Sequence, residues 1–144
     1  MSPPLEWMCG KQRLWLEAPD FLCMEMHGTL DVAEVDAYKS LVYELGDRYG
    51  TFAFLVDMRD LESIPPDARS KLSRAARPYP YRAIAVHGTS FTLGIVAAMV
   101  VKAGRALAPH AFPFELAFFK TEAQARAQLV PFRDPPPLRQ GPRR

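Results

Sequence analysis

Residues 51–77, TFAFLVDMRDLESIPPDARSKLSRAAR, decide the fold. Phe52, Ala53, Phe54, Leu55 and Val56 form an unbroken apolar run, the pattern of a strand buried on both faces. The run stops at Asp57, and Arg59, Asp60, Glu62 and Asp67 follow, so residues 57–67 read as a charged loop. Pro65-Pro66 then opens a helix, because proline at the first helical position gives up an N–H that has no partner there anyway. That helix is expected to reach Arg77. Ala68, Leu72, Ala75 and Ala76 fall on one side, with Ser70, Arg74 and Arg77 on the other as a basic stripe. In an open parallel sheet, ligands gather outside the carboxyl ends of the strands, where this charged loop falls.

The flanking chain supplies the rest of the sheet. Residues 1–10 read as a flexible terminus. Residues 13–17 (RLWLE) and 21–27 alternate as strands, and Ala18-Pro19-Asp20 turns the chain between them into a hairpin. A helix follows Gly28-Thr29. Asp31 with Glu34 has the form of a capping box, Thr29 being the other candidate cap. Val35, Tyr38, Val42 and Leu45 recur at helical spacing, with Gly46 as the expected stop. After the central stretch, Pro78-Tyr79-Pro80 breaks the chain and residues 81–86 form a strand. An apolar helix then runs from Phe91 to about Leu107. It is apolar nearly all round, which suits a buried central position or, failing that, a dimer contact. Residues 114–119 make a last strand, and Thr121 with Gln124 caps a last helix ending near Leu129. Residues 131–144, PFRDPPPLRQGPRR, are too rich in proline and arginine for regular structure and read as a disordered tail. Strands alternating with helices imply an α/β domain over residues 11–130. Its sheet should be mostly parallel and five-stranded, with an antiparallel edge strand and about four helices.

Composition narrows the function. The chain has 144 residues, 49% hydrophobic and 24% charged, with a net charge of +2. Residues 131–144 carry four arginines against one aspartate, a local charge of +3, so the remainder sums to −1. A nearly neutral domain lacks the basic footprint of a nucleic-acid binder. Cys9 and Cys23 are too few for a disulfide framework and make no zinc spacing with the histidines. The start, MSPPLEWMCGKQ, has no apolar core flanked by basic residues, and residues 91–101 are too few to span a bilayer. A cytoplasmic protein without cofactor or metal is expected.

Three segments, MHGTLDVAEVDAY, FAFLVDMRDLESIPPDARSKL and YRAIAVHGTSFTLGIVAAMVVKAGRAL, resemble the STAS superfamily over about residues 11–130. Within it the chain is most similar to the SpoIIAA-like branch of small bacterial proteins, often compared with CRAL-TRIO lipid-transfer domains. The resemblance implies the α/β fold above and a regulatory or protein-binding role. In partner-switching STAS proteins a kinase phosphorylates a serine at the start of the helix after the central strand, within Asp-Ser-Ser-Gly. Here that place reads Glu62-Ser63-Ile64-Pro65-Pro66-Asp67, so the motif is absent, and Ser63 and Ser70 are only nearby hydroxyls.

His27-Gly28-Thr29 recurs as His87-Gly88-Thr89, each time between a strand and a helix. With the family's strand order, these two strands are neighbours, and both histidines share the sheet edge with Asp57. Two imidazoles and a carboxylate suit metal or acid–base chemistry. The plainer account is that Gly turns the chain and Thr caps the helix. Thr29, Thr89, Ser90 and Arg59 beside the helix N-termini would also suit a small anion or a lipid headgroup. The leading expectation is a non-enzymatic regulatory or protein-interaction module. Its candidate contact residues are Asp57, Arg59, Asp60, Ser63, Ser70, Arg74 and Arg77. A small-ligand or lipid-binding protein using the strand-end edge and the apolar helix comes second, with His27, Thr29, His87, Thr89 and Ser90 as its candidates. A metal-dependent or acid–base enzyme comes third. A protein partner is expected, with a homodimer as a further candidate.

Overall fold

Gln12 to Glu17 and Phe21 to Thr29 alternate as the sequence suggests, and they sit inside a larger sheet than expected. The computed structural model describes residues 5–17 and 19–133. The elements are β1 (Leu5–Cys9), β2 (Gln12–Glu17), β3 (Phe21–Thr29), α1 (Val32–Tyr49), β4 (Phe52–Ser63) and α2 (Pro66–Ser73). They continue with β5 (Tyr81–His87), α3 (Phe91–Leu107), β6 (Glu115–Phe119) and α4 (Glu122–Leu129). The six strands lie in chain order, β1 to β6; the first two pairings are antiparallel and the remaining three parallel.

That order fixes the layers. Parallel crossovers are right-handed. When every crossover steps to the next strand in the same direction, the connecting helices fall on one face. The main core lies on that face, where Val35, Tyr38, Val42 and Leu45 of α1, Ala68 of α2, and Leu93, Ala97 and Val101 of α3 meet Leu22, Met24, Phe54 and Val56 of the sheet. Having no crossover to make, α4 covers part of the other face, where Ala125 and Leu129 pack on Phe21, Cys23, Ala53, Leu55, Ala83 and Ala85. Both faces of β4 are therefore covered, as its apolar run requires. Both capping boxes form, with Asp31 and Glu34 starting α1 and Thr121 and Gln124 starting α4.

Five expectations need correction. Residues 5–9 are a sixth strand, not a loose terminus. Gly10 turns it at φ +63° into β2, and Cys9 reaches the core. The charged residues 57–63 are strand, not loop, because β3 stays hydrogen-bonded to β4 as far as Ser63 after β5 has ended opposite Asp57. The helix after Pro65 ends at Ser73, so Arg74 and Arg77 do not continue a helical stripe. Gly46 lies within α1, which ends at Gly50. Finally, Val130–Phe132 forms a turn that packs Phe132 on the α4-side core, and Arg133 pairs with Asp20 at 3.3 Å. The rest of the expected tail, 134–144, and residues 1–4 lie outside the described residues. Among those described, no helix is long and apolar enough to cross a membrane.

Candidate functional site

The carboxyl ends of β3, β4 and β5 bring several expected residues together, though not in the expected arrangement. β4 lies between β3 and β5, so the strands of His27 and His87 are not neighbours. On the α4 face, Arg13, Glu25, Asp57 and His87 stand directly opposite one another across four consecutive strands. Asp57 is only 8% exposed. Its Oδ1 accepts from the Arg59 backbone N–H at 2.9 Å and from Nε at 3.0 Å, and its Oδ2 accepts from Nη2 at 2.7 Å. Burial alone would push this carboxyl up, but the Arg59 hydrogen bonds and the nearby His87 hold it below the ordinary carboxylate range. His27 is half-exposed and sits 3.5 Å from Glu25 and 3.6 Å from Asp60. Among the described residues, no group of three or more His, Cys, Asp or Glu side chains could hold a metal ion.

The hydroxyl candidates are engaged in local structure. Thr29 Oγ1 and Ser63 Oγ share a hydrogen bond of 3.0 Å where β3 and β4 end together. Ser90 caps α3 by accepting from Leu93 N at 3.1 Å, and Thr89 Oγ1 donates to the Ser90 carbonyl. The N-terminus of α1 is occupied by the acidic pair Asp31 and Glu34, which disfavours an anion there.

The basic candidates separate. Arg77 folds back on α1, bonding both Asp47 carboxylate oxygens at 2.9 and 3.0 Å and lying 4.6 Å over the Tyr43 ring. Arg74 instead lines a groove of about 330 Å³ between α2 and α3, together with Arg69, Ser70, Val96, Met99 and Leu107. Here the expectation of a buried central α3 fails. α3 belongs to an outer layer, and Phe91 is 85% and Met99 60% exposed. Phe91, Ile95, Met99, Ala103 and Leu107, every fourth residue, all face solvent. Charge gave no clue to this outer ridge, since α3 carries only Lys102 and Arg105, both near its end. Beneath the helices an apolar cavity of about 110 Å³ is lined by Met24, Met26, Met58, Leu72, Ala97 and Val100 among others.

No family model matches the chain, and no curated protein does. Among solved structures, the chain is similar to a crystal structure from Shewanella loihica PV-4. That structure is described as an uncharacterized protein of the DUF3478 family with a SpoIIAA-like fold. The likeness covers 90% of this chain and 98% of that one, with a TM-score of 0.58 at 16% identity. Identity this low carries the fold and not an activity. With its in-order parallel strands, one-sided crossovers and antiparallel edge, this chain has a SpoIIAA-like α/β fold.

Proposed function

We propose that the chain is a non-enzymatic regulatory or protein-interaction module that docks an acidic, amphipathic helix of a partner protein on its α2–α3 face. One observation carries this reading, the uncovered ridge of Phe91, Ile95, Met99, Ala103 and Leu107 along α3. Contiguous exposed apolar surface marks interaction sites. A ridge of every fourth residue is also the surface a second helix packs against. Charge selects the partner. Arg69 and Arg74 form the opposite wall of the groove, the Arg74 guanidinium has no ion-pair partner among the described residues, and α3 has no acidic residue. A second copy would set like charges against one another, so an acidic partner is favoured over a homodimer. The absence of the phosphoacceptor motif and the engagement of Ser63 Oγ with Thr29 support a rigid recognition surface rather than a phosphorylation switch.

A photo-crosslinking residue at Met99 should give a discrete heavier adduct in cells, and one at Gln128 on the α4 side should not. Arg74→Glu should weaken that adduct roughly tenfold, as loss of complementary charge does at an interface. A Met99 adduct of twice the chain's mass, or none at all, would overturn the proposal.

A second reading, uptake of a small apolar ligand, is favoured by the methionine-lined cavity. Apolar voids of this size stay dry and accept ring-sized guests, although larger ligands need roughly 300 Å³ or more. Ala97→Leu should fill the cavity and stabilise the protein by about 0.5–2 kcal/mol. It should also abolish the shifts that benzene induces in the methionine methyl resonances. Unchanged benzene shifts in that variant would remove this reading.

A further inference from the structure

On the opposite face of the sheet from the docking groove, a second cavity has the makings of a polar binding site. We propose that it binds a small uncharged polyol, a three- or four-carbon chain with adjacent hydroxyls or the vicinal diol of a sugar. The cavity holds about 120 Å³ where α4 ceases to cover the sheet, and Arg13, Trp15, Glu25, Asp57, Arg59 and His87 line it. At roughly 30 Å³ per water, that is the space of about four waters. A short polyol fills it.

His87 offers the cavity a polar group that no described residue uses. It is 3% exposed, yet its imidazole makes no hydrogen bond to any described residue, and it lines this space. Buried polar groups are almost always paired, so this imidazole pairs with water in the cavity or with a ligand that displaces it. Glu25 has spare capacity too. Its nearest cations, Arg13 and His27, stand 3.6 and 3.5 Å away, beyond good hydrogen-bond length. Glu25, Asp57 and His87 lie in one row across β3, β4 and β5, so a single small molecule can reach the two under-used groups from opposite sides of Asp57.

Charge decides the class of ligand. Arg13 and Arg59 balance Glu25 and Asp57, and Glu122 at the rim is held by Arg126 at 2.8 Å. The four charged groups around the row, Arg13, Arg59, Glu25 and Asp57, therefore sum to zero, and an ion of either sign placed among them would leave water without a net opposite charge to receive it. A hydroxyl both donates and accepts. One hydroxyl can donate to Glu25 while its neighbour pairs with His87, and the carbon chain lies against Trp15 and Leu55. Glu25 and His87 are then both paired by one molecule.

Erythritol is the probe, followed by NMR of the His87 imidazole and the Trp15 indole. Both resonances should shift saturably, with a dissociation constant in the millimolar range expected for so few heavy atoms. 1-Butanol, n-butylammonium and acetate should bind at least about tenfold more weakly. His87→Leu should weaken the Trp15 response at least about tenfold while leaving the circular dichroism unchanged. Should that variant fail to fold, Glu25→Ala on the more exposed side of the row should give the same loss. The proposal is overturned by no saturable shift up to about 100 mM erythritol. Equal binding of a charged probe, or full affinity in a folded variant, would overturn it as well. None of these outcomes touches the α2–α3 surface, so the two proposals stand or fall separately.

Discussion

Phe112→Ala is expected to lower the stability of the fold by about 3–5 kcal/mol, the range for deleting a buried aromatic ring. Phe112 is buried just beyond α3, edge-on to Tyr79 at 5.3 Å and tilted against Phe114 at 5.8 Å. Those rings belong to an aromatic stack that continues through Tyr81 to Phe54 on the central strand. Its other side rests directly on the backbone of α3. A Cβ built on Gly104 would overlap the Phe112 ring, so glycine is required there for close approach rather than for conformation. Gly104→Ala should therefore cost about 1–3 kcal/mol by overpacking, less up to about 1 kcal/mol of recovered helix propensity. Combining it with Phe112→Leu should cost less than the sum of the two, since the smaller side chain can yield to the new methyl. Urea unfolding with an unchanged denaturant slope is the measurement. Strict additivity, or a loss below about 1 kcal/mol for Phe112→Ala, would show that the ring does not fix α3 to the sheet.

What the sequence made legible was mostly local. Asp31 with Glu34 and Thr121 with Gln124 marked two helix starts because a capping box is closed by four neighbouring residues. Phe52 to Val56 marked the central strand because burial on both faces demands an unbroken apolar run. What escaped depended on distant partners. The strand character of residues 57–63 is sustained by β3 across two register shifts, and these spoil the alternation that would have revealed it. The Leu5–Cys9 strand has one small buried residue, Cys9, and its clearest sign was Gly10 placed for a two-residue turn between two short runs.

The candidate site was legible as a place more than as a constellation. Asp57 and Arg59 were expected in a loop at the strand ends; they pair within β4 instead, opposite the end of β5, where His87 stands beside Asp57. Glu25 and Arg13 went unremarked because nothing in the chain signals that residues 13, 25, 57 and 87 share one row. That alignment exists only once the strand order is known. The exposed ridge of α3 was hidden for a related reason. A helix apolar on every side does not declare which side the protein leaves open.

Glu34→Ala tests the last of these long-range dependencies, with an expected loss of about 2–4 kcal/mol from the several hydrogen bonds it would break. Glu34 is buried at the start of α1 and serves more than its own helix. Its Oε2 accepts from the backbone N–H and Nζ of Lys11 at 2.9 and 3.0 Å, and its Oε1 accepts from Gln12 Nε2 and Asp31 N, both at 3.1 Å. Gln12, itself fully buried, bonds both the N–H and the carbonyl of His27. One carboxylate thus ties the β1–β2 turn to α1 and, through Gln12, to β3. Burial alone would raise its pKa, but the bonds from Lys11, Gln12 and Asp31 outweigh it and hold the group below its ordinary value of 4.5. The folded carboxyl thus ionises more readily than the unfolded one. Its contribution is complete above pH 4.5 and fades as the pH falls through the lower folded value. Glu34→Gln keeps the shape but removes the charge, so it should cost less than Ala and flatten this acid limb of the stability curve. In both variants, the amides of β1 and β2 should lose hydrogen-exchange protection before those of β4 and β5, because the clasp holds the edge strands and not the parallel core. Parallel pH curves for the wild type and Glu34→Gln would show instead that the carboxylate charge adds nothing, leaving the edge strand to Cys9 and Trp7 packing alone.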